Sequence, residues 1–290
     1  MQDFRGKYTV KEMCAYLKIS ESGYYRWLKN RNKPTFRQLL SVEILKVLEE
    51  HPDNDNYGTR RMRIALQQRG IPVSVRTVSR TMSEMGLLHQ NRVPHGITKA
   101  SDEVQEQENL IKRDFSAEKP LTKVASDITE VQCRDGKLYI SAVLDFFNGE
   151  VLALSMDDNM KKELCIRTVE QMKAQYGKRL EGMIFHSDRG SQYTSQAFRD
   201  SLASCGIVQS LSGTGHCFDN ARMESFWATL KKEKIYRIAA HKLTREQVKT
   251  IIFRYVFVYY NRIRIYTANP MGLPPVKYRE LAASRQSAAF

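Results

Sequence analysis

The chain has 290 residues, 42% hydrophobic and 27% charged, a balance that suits a globular protein with a core and argues against a disordered one. Net charge is +14, and the excess lies forward: residues 1–100 hold 18 Lys and Arg against 9 Asp and Glu, the remainder 28 against 23. Such a basic front is expected to meet a phosphate backbone, with a solvated basic surface as the alternative.

Five cysteines (Cys14, Cys133, Cys165, Cys205, Cys217) form no C-x-x-C pair, which excludes finger spacing and disfavours a disulfide framework. The opening Met-Gln-Asp-Phe-Arg-Gly-Lys does not read as a signal peptide. No apolar run approaches the roughly 18 residues of a membrane span. A cytosolic protein without membrane partners is expected.

Residues 9–30 read as two short helices around a break at Lys18-Ile19-Ser20, with Ser20 capping the second and Arg26 and Lys29 facing out. The outline is a helix-turn-helix or a plain helical hairpin. A fuller helix-turn-helix outline spans 57–87. Its first helix carries Arg60 and Arg61 and closes at Arg69-Gly70; its second is capped by Ser74 and ends near Gly86. Val75, Val78, Met82 and Met85 are expected to face the core. Arg76, Thr77, Ser79 and Arg80 are expected outside, toward phosphates and base edges. From Gly96 to Pro120 the periodicity fades, marking a linker over 96–119 between a helical region, 1–95, and a second domain, 120–285. Leu110, Ile111 and Phe115 suggest that this linker is anchored at its end.

The second domain opens with strands at Val124–Cys133 and Leu138–Leu144 and a third from Glu150 to Met156, with Asn148-Gly149 as a two-residue hairpin signal. A helix over 161–176, a short strand from Gly182 ending at Asp188, a helix over 195–205, a strand over 207–211 and a helix over 220–234 follow. Three consecutive strands and then strands alternating with helices predict an α/β fold, a mixed sheet flanked by helices. The aromatic run at 253–260 reads as helix core, within a C-terminal helical extension.

Three carboxylates stand out: Asp127 in a strand, Asp188 at a strand end before a Gly/Ser turn, and Glu224 on a helix, with 60 and then 35 residues between them. Each alone fits an ordinary turn or surface position. Together they suit two Mg²⁺ ions, hard cations that take oxygen ligands and activate phosphoryl transfer. Asp145 is the rival carboxylate, with a turn as its expected role. His186 and His216 are expected to be structural. Asn220, Glu224 and Lys231 share a helix face.

The segments Ser126-Asp127-Ile128-Thr129, His186-Ser187-Asp188-Arg189-Gly190-Ser191 and Asp219-Asn220-Ala221 through Glu224-Ser225-Phe226, then Leu230-Lys231-Lys232-Glu233, resemble the second-reading-frame (OrfB) transposases of the insertion sequence three family. Tyr57-Gly58-Thr59-Arg60-Arg61 and Tyr259-Tyr260-Asn261-Arg262 add to the likeness. The resemblance implies a ribonuclease-H-like integrase catalytic core with a five-stranded mixed sheet, preceded by small all-α helix-turn-helix regions. It implies that Asp127, Asp188 and Glu224 are catalytic and hold Mg²⁺, with Mn²⁺ as a substitute. It also implies cleavage and strand transfer at the ends of a mobile element, by a homo-oligomer on double-stranded DNA in the bacterial cytosol. Lys231 is the family's basic DNA contact, and Arg189, Asn220, Arg60, Arg61, Arg76 and Arg80 are expected to join it. Val124 departs from the Trp often found there in the family. The resemblance further implies an upstream-frame (OrfA) partner or fusion that supplies a helix-turn-helix and a coiled coil, and this chain shows no long heptad coiled coil of its own. The rival readings are a non-catalytic DNA-binding regulator and a ribonuclease on the same core.

Overall fold

The computed structural model describes residues 1, 4, 6–88, 109–112, 114–212 and 220–287. Two compact units emerge, one of Met1–Pro52 with Tyr57–His89, the other of Asp53–Asn56 with Gln90–Phe290. Most of the expected linker, together with His216, Cys217 and Asp219, lies outside the described residues. No helix among those described is long and apolar enough to cross a membrane.

The first unit is helical: α1 (Val10–Tyr16), α2 (Glu21–Asn30), α3 (Phe36–Glu49), α4 (Thr59–Gln68) and α5 (Val75–Glu84). Short polar side chains start these helices by accepting orphan amide protons. Ser20 accepts from the Gly23 amide and Ser74 from that of Thr77, while Thr9 and Thr35 build reciprocal capping boxes with Glu12 and Gln38. Leu40, Ile44 and Val47 of α3 are buried with Met62 and Leu66 of α4 and Val78 and Met82 of α5. Arg69, at the end of α4, bonds both Glu43 and Glu50.

One expectation on α5 needs correcting. Val75 is 44% exposed because it opens the helix, beyond the packed stretch. Thr81 takes the buried place instead, its hydroxyl donating to the Thr77 carbonyl at 3.0 Å so that no polar group is stranded.

The second unit is built on the expected ribonuclease-H-like sheet. Its strands are β1 (Lys123–Cys133), β2 (Gly136–Asp145), β3 (Val151–Asp157), β4 (Ile184–Ser187) and β5 (Val208–Leu211), in the order β3-β2-β1-β4-β5. β1, β2 and β3 pair antiparallel, whereas β4 runs parallel to β1 and β5 parallel to β4. The parallel half needs crossovers. Helix α6 (Lys162–Tyr176) joins β3 to β4, and α7 (Ser191–Thr194) with α8 (Gln196–Ala203) joins β4 to β5. Val124, Ala125 and Ser126 are buried in succession, as expected of a central strand covered on both faces. Val169 and Met172 of α6 and Phe198 and Leu202 of α8 pack with Val124, Val143 and Phe185 in one core.

The β2–β3 hairpin has a longer loop than the two-residue turn expected, with Phe146–Glu150 lying between the strands. Side chains account for the difference. Asp145 accepts the amides of Leu121 and Phe147, and the Asn148 amide group reaches Glu150 and the Pro275 carbonyl. Gly149 keeps its left-handed backbone (φ +73°), where a Cβ would meet the Tyr266 ring at 2.5 Å.

Beyond β5, α9 (Ala221–Glu233) packs along β1, followed by α10 (Arg245–Phe253), a π-helical stretch over Arg254–Tyr260 and α11 (Pro275–Ser287). Tyr255, Tyr259 and Tyr260 are buried, as expected of a helix core, while Val258 and Phe253 are exposed. Glu233, at the end of α9, takes two bonds of 2.8 Å from the Arg264 guanidinium and one of 2.8 Å from the Tyr255 hydroxyl. Arg279 of α11 similarly grips Glu150. Residues Asp53–Asn56 dock in the same unit: Asp53 binds Lys234, Asp55 binds Arg237, and Asn56 reaches the Glu233 carbonyl.

Arg264 and Glu233 are both buried, so removing one leaves an uncompensated charge. Arg264→Met is expected to lower unfolding stability by about 3–5 kcal/mol. Adding Glu233→Gln should restore part of that loss, as measured by urea denaturation of the two variants.

Candidate active site

β1 and β4 set the geometry. Ala125 pairs with His186, so the register carried two residues on sets Asp127 alongside Asp188, directly after the end of β4. Residues two apart share a sheet face, and neighbouring strands lie roughly 4.8 Å apart. The two carboxylates therefore issue from one side of adjacent parallel strands. Asp188 is exposed, its Oδ1 accepting the Gly190 amide at 2.9 Å, and a Cβ at Gly190 would crowd that same oxygen at 3.0 Å.

Glu224 comes from the first turn of α9, a position where the helix dipole favours an acid. Two bonds hold α9 to β1. The Asn220 amide group donates to the Ser126 carbonyl at 3.2 Å, and the Trp227 indole N–H donates to Asp127 Oδ2 at 3.1 Å.

Asp127 feels both of the other carboxylates. The Asp127 carboxyl is pushed up to about 6, first by burial and then by the charges of Asp188 and Glu224, against the opposing pull of the Ile128 amide and the Trp227 indole. Like charges held together favour the protonated form of one of them. Beneath the site runs a buried hydroxyl network, with Ser126 3.0 Å from the Tyr193 hydroxyl and Thr168 donating to Ser141 at 3.1 Å. Burial pushes the Cys165 thiol of α6 up to about 11, and the nearby charges of Asp127 and Asp188 add to the shift.

The donor set is wholly oxygen, which suits Mg²⁺ or Mn²⁺. Among the described residues no three His, Cys, Asp or Glu side chains are gathered closely enough to hold a metal ion by themselves. Magnesium needs none, since it commonly takes one or two carboxylates and completes its shell with water and substrate phosphates. Mutual repulsion at Asp127 is what a divalent cation would relieve, so the residues fit the ion.

The expected DNA contacts are spread along the chain. Arg60, Arg76 and Arg80 are exposed on α4 and α5, and Arg61 lies over the Tyr57 ring at 6.0 Å. Lys231 is half-buried on α9, and the Arg189 Nε donates to the Ser212 carbonyl at 2.9 Å. Asn220 is only 6% exposed, its amide turned inward to β1. Trp227 was not singled out from sequence, although its place three residues after Glu224 puts both on one helix face.

Known proteins provide the context for this geometry. An HTH-like domain model matches residues 36–95, and integrase core domain models match residues 117–217 and 224–282. The class is therefore that of integrase-core polynucleotidyl transferases. Transposase InsF for insertion sequence IS3A of Escherichia coli (strain K12) is 31% identical over 91% of this chain and 92% of its own. The 31 kDa protein of insertion element IS600 of Shigella sonnei is 30% identical over 92% and 97%. The chain belongs to the insertion sequence three (IS3) family of transposases. Among solved structures, a chain of the simian T-cell lymphotropic virus intasome in complex with PP2A regulatory subunit B56 gamma matches at 15% identity and a TM-score of 0.43, over 71% of this chain and 66% of that one. The magnesium complex of the HTLV-2 integrase catalytic core domain matches at 15% identity and a TM-score of 0.40, over 54% and 97%.

His186 and Asp145 stay out of the cluster. His186 is buried in β4, its Nδ1 2.9 Å from the Ser210 hydroxyl, whose oxygen also accepts the Leu110 amide. That bond, the buried Ile111 and the edge-on Phe115–Phe146 pair anchor the segment before β1. Asp145 closes the β2–β3 turn, and burial, with a smaller push from Glu150, raises its carboxyl to about 6. A carboxyl raised from 3.8 holds its proton more tightly folded than unfolded, so its contribution to stability falls as pH rises from about 4 through 6. Asn cannot titrate. The melting temperature of Asp145→Asn minus that of the native chain is therefore expected to increase between pH 4 and 7, by the equivalent of up to about 3 kcal/mol.

Proposed function

We propose that the chain is the catalytic subunit of a DNA transposase, cleaving 3′ ends at insertion-sequence termini and transferring them to target DNA. Asp127, Asp188 and Glu224 form the site and would hold Mg²⁺, or Mn²⁺ in its place. What supports the reading is that Asp127 and Asp188 issue from one side of the adjacent strands β1 and β4, while α9, which bears Glu224, is bonded to Asp127 through Trp227. When bound, the divalent cation supplies positive charge that activates a water or 3′-hydroxyl nucleophile and stabilises the leaving 3′-oxygen.

The chain's own groups then have distinct tasks. The Gly190 amide fixes Asp188, and the Asn220 link to β1 keeps α9 and Glu224 in register with the sheet. Lys231, two helical turns beyond Glu224, would meet a DNA phosphate on the same face, with Arg189 beside the turn that carries Asp188. Arg60, Arg61, Arg76 and Arg80 would bind phosphates of the element end through the helix-turn-helix-like region. Action by an oligomer on DNA, with an upstream-frame partner or fusion, completes the proposal.

Asp188→Asn and Glu224→Gln are each expected to lower strand transfer on end-bearing DNA on the order of a hundredfold or more, while gel-shift binding persists. Unchanged strand transfer in either variant would overturn the assignment. Native protein, tested beside the fused form, that binds the ends but never nicks them in Mg²⁺ would point to the non-catalytic regulator instead. Arg76→Ala with Arg80→Ala should flatten the dependence of log affinity on log salt by about 2, roughly 1 for each lost phosphate contact, measured by anisotropy with end-bearing duplex.

A further inference from the structure

We propose that Trp227 is a positioning residue for the metal-holding carboxylate Asp127, clasping it through the indole N–H so that the strand-borne and helix-borne acids keep a fixed separation. The inference rests on the reading above, that Asp127 carries a divalent ion.

The indole N–H is a donor only and usually finds a partner when buried. Here it lies 3.1 Å from Asp127 Oδ2, on a side chain that is 5% exposed and packed against Phe226 with ring centroids 4.9 Å apart. Trp227 follows Glu224 by three residues on α9, so one helix face presents both the third acid and the group that holds the first. The Asn220–Ser126 bond adds a second tie one residue away on β1, so the indole sits where α9 is already fixed. Groups that orient a metal ligand in this way commonly govern ion affinity without touching the ion.

The chain has two tryptophans, Trp27 and Trp227. In full-length Trp27→Phe protein, excited beyond the tyrosine absorption band, the emission therefore comes from Trp227 alone. Adding Mn²⁺ should quench it saturably, Mg²⁺ should reverse the quenching by competition, and Asp127→Asn in the same background should abolish it. In Trp227→Phe, which keeps an aromatic ring but loses the donor, Mn²⁺ affinity measured by electron paramagnetic resonance should fall roughly tenfold. The Mg²⁺ needed for strand transfer should rise in step, with circular dichroism and melting temperature retained.

Mn²⁺ binding that Asp127→Asn abolishes, but that leaves Trp227 emission unmoved or is equally tight in Trp227→Phe, would overturn the inference and leave the transposase reading standing. Native protein that binds no Mn²⁺ would overturn the metal reading and this inference with it. Should Trp227→Phe fail to fold, the titration of the Trp27→Phe protein decides the matter alone.

Discussion

A carboxylate on the central strand of a covered sheet is costly to keep ionised, and Asp127 sits beside two more. The surrounding structure works against that cost from several directions. The Ile128 amide and the Trp227 indole favour the charged form, while Asp188 and Glu224 disfavour it. Sheet register cannot relax this crowding, because a one-residue slip of β1 against β4 would turn Asp127 to the opposite face. The placement of Asp127 beside Asp188 is therefore fixed by the fold.

The rest of the second unit can be read as support for that cluster. Glu224 belongs to α9, and α9 is held at both ends. Asn220 ties its start to β1, and Glu233 ties its finish to Arg264 and Tyr255. The buried Glu233–Arg264 pair adds little net stability beyond what apolar residues could supply, but it specifies where the helix must end. The Lys234 and Arg237 bonds to Asp53 and Asp55 extend the same clamp beyond the helix. At the β2–β3 hairpin, Asn148 and Glu150 lock the loop to α11 through Pro275 and Arg279.

Much of this was legible in the residues because local chemistry and global fold agree. Ser20 and Ser74 cap the helices they were expected to cap, and Asp188 follows a buried strand into a Gly turn. The mixed sheet followed from strands that first run consecutively and then alternate with helices. What escaped has physical causes. Helix α3 was missed because Phe36, Leu39, Val42 and Leu45 are apolar yet exposed, and they blur the single stripe formed by Leu40, Ile44 and Val47. The hairpin loop was misjudged because Asp145 and Asn148 reach to distant backbone that a local turn rule does not see. Asn220 read as a DNA contact from its helix position, and only the packing of α9 on β1 shows its amide turned inward. Trp227 was passed over as one aromatic among many, since no pattern marks the carboxylate its nitrogen would find.

Net charge needs the same structural reading. A total of +14 suggests a uniformly attractive surface for DNA, yet several guanidinium groups are already paired with acids of the protein itself. Arg69 is engaged by two glutamates, Arg237 by Asp55, Arg264 by Glu233 and Arg279 by Glu150. These pairs hold helices in place and add nothing to the outward field. Arg60, Arg76 and Arg80 are different, being exposed and without an acidic partner among the described residues. Charge that neutralises phosphates must be exposed and uncommitted, because only then does binding release counterions rather than break an existing bond. By that criterion exposed, uncommitted arginines such as Arg60, Arg76 and Arg80 suit the duplex contact proposed for them, while the proposed acidic site on β1, β4 and α9 would repel the same duplex unless a cation intervenes. Binding and chemistry would then respond differently to ionic conditions, the first weakening with any salt and the second depending specifically on a divalent ion.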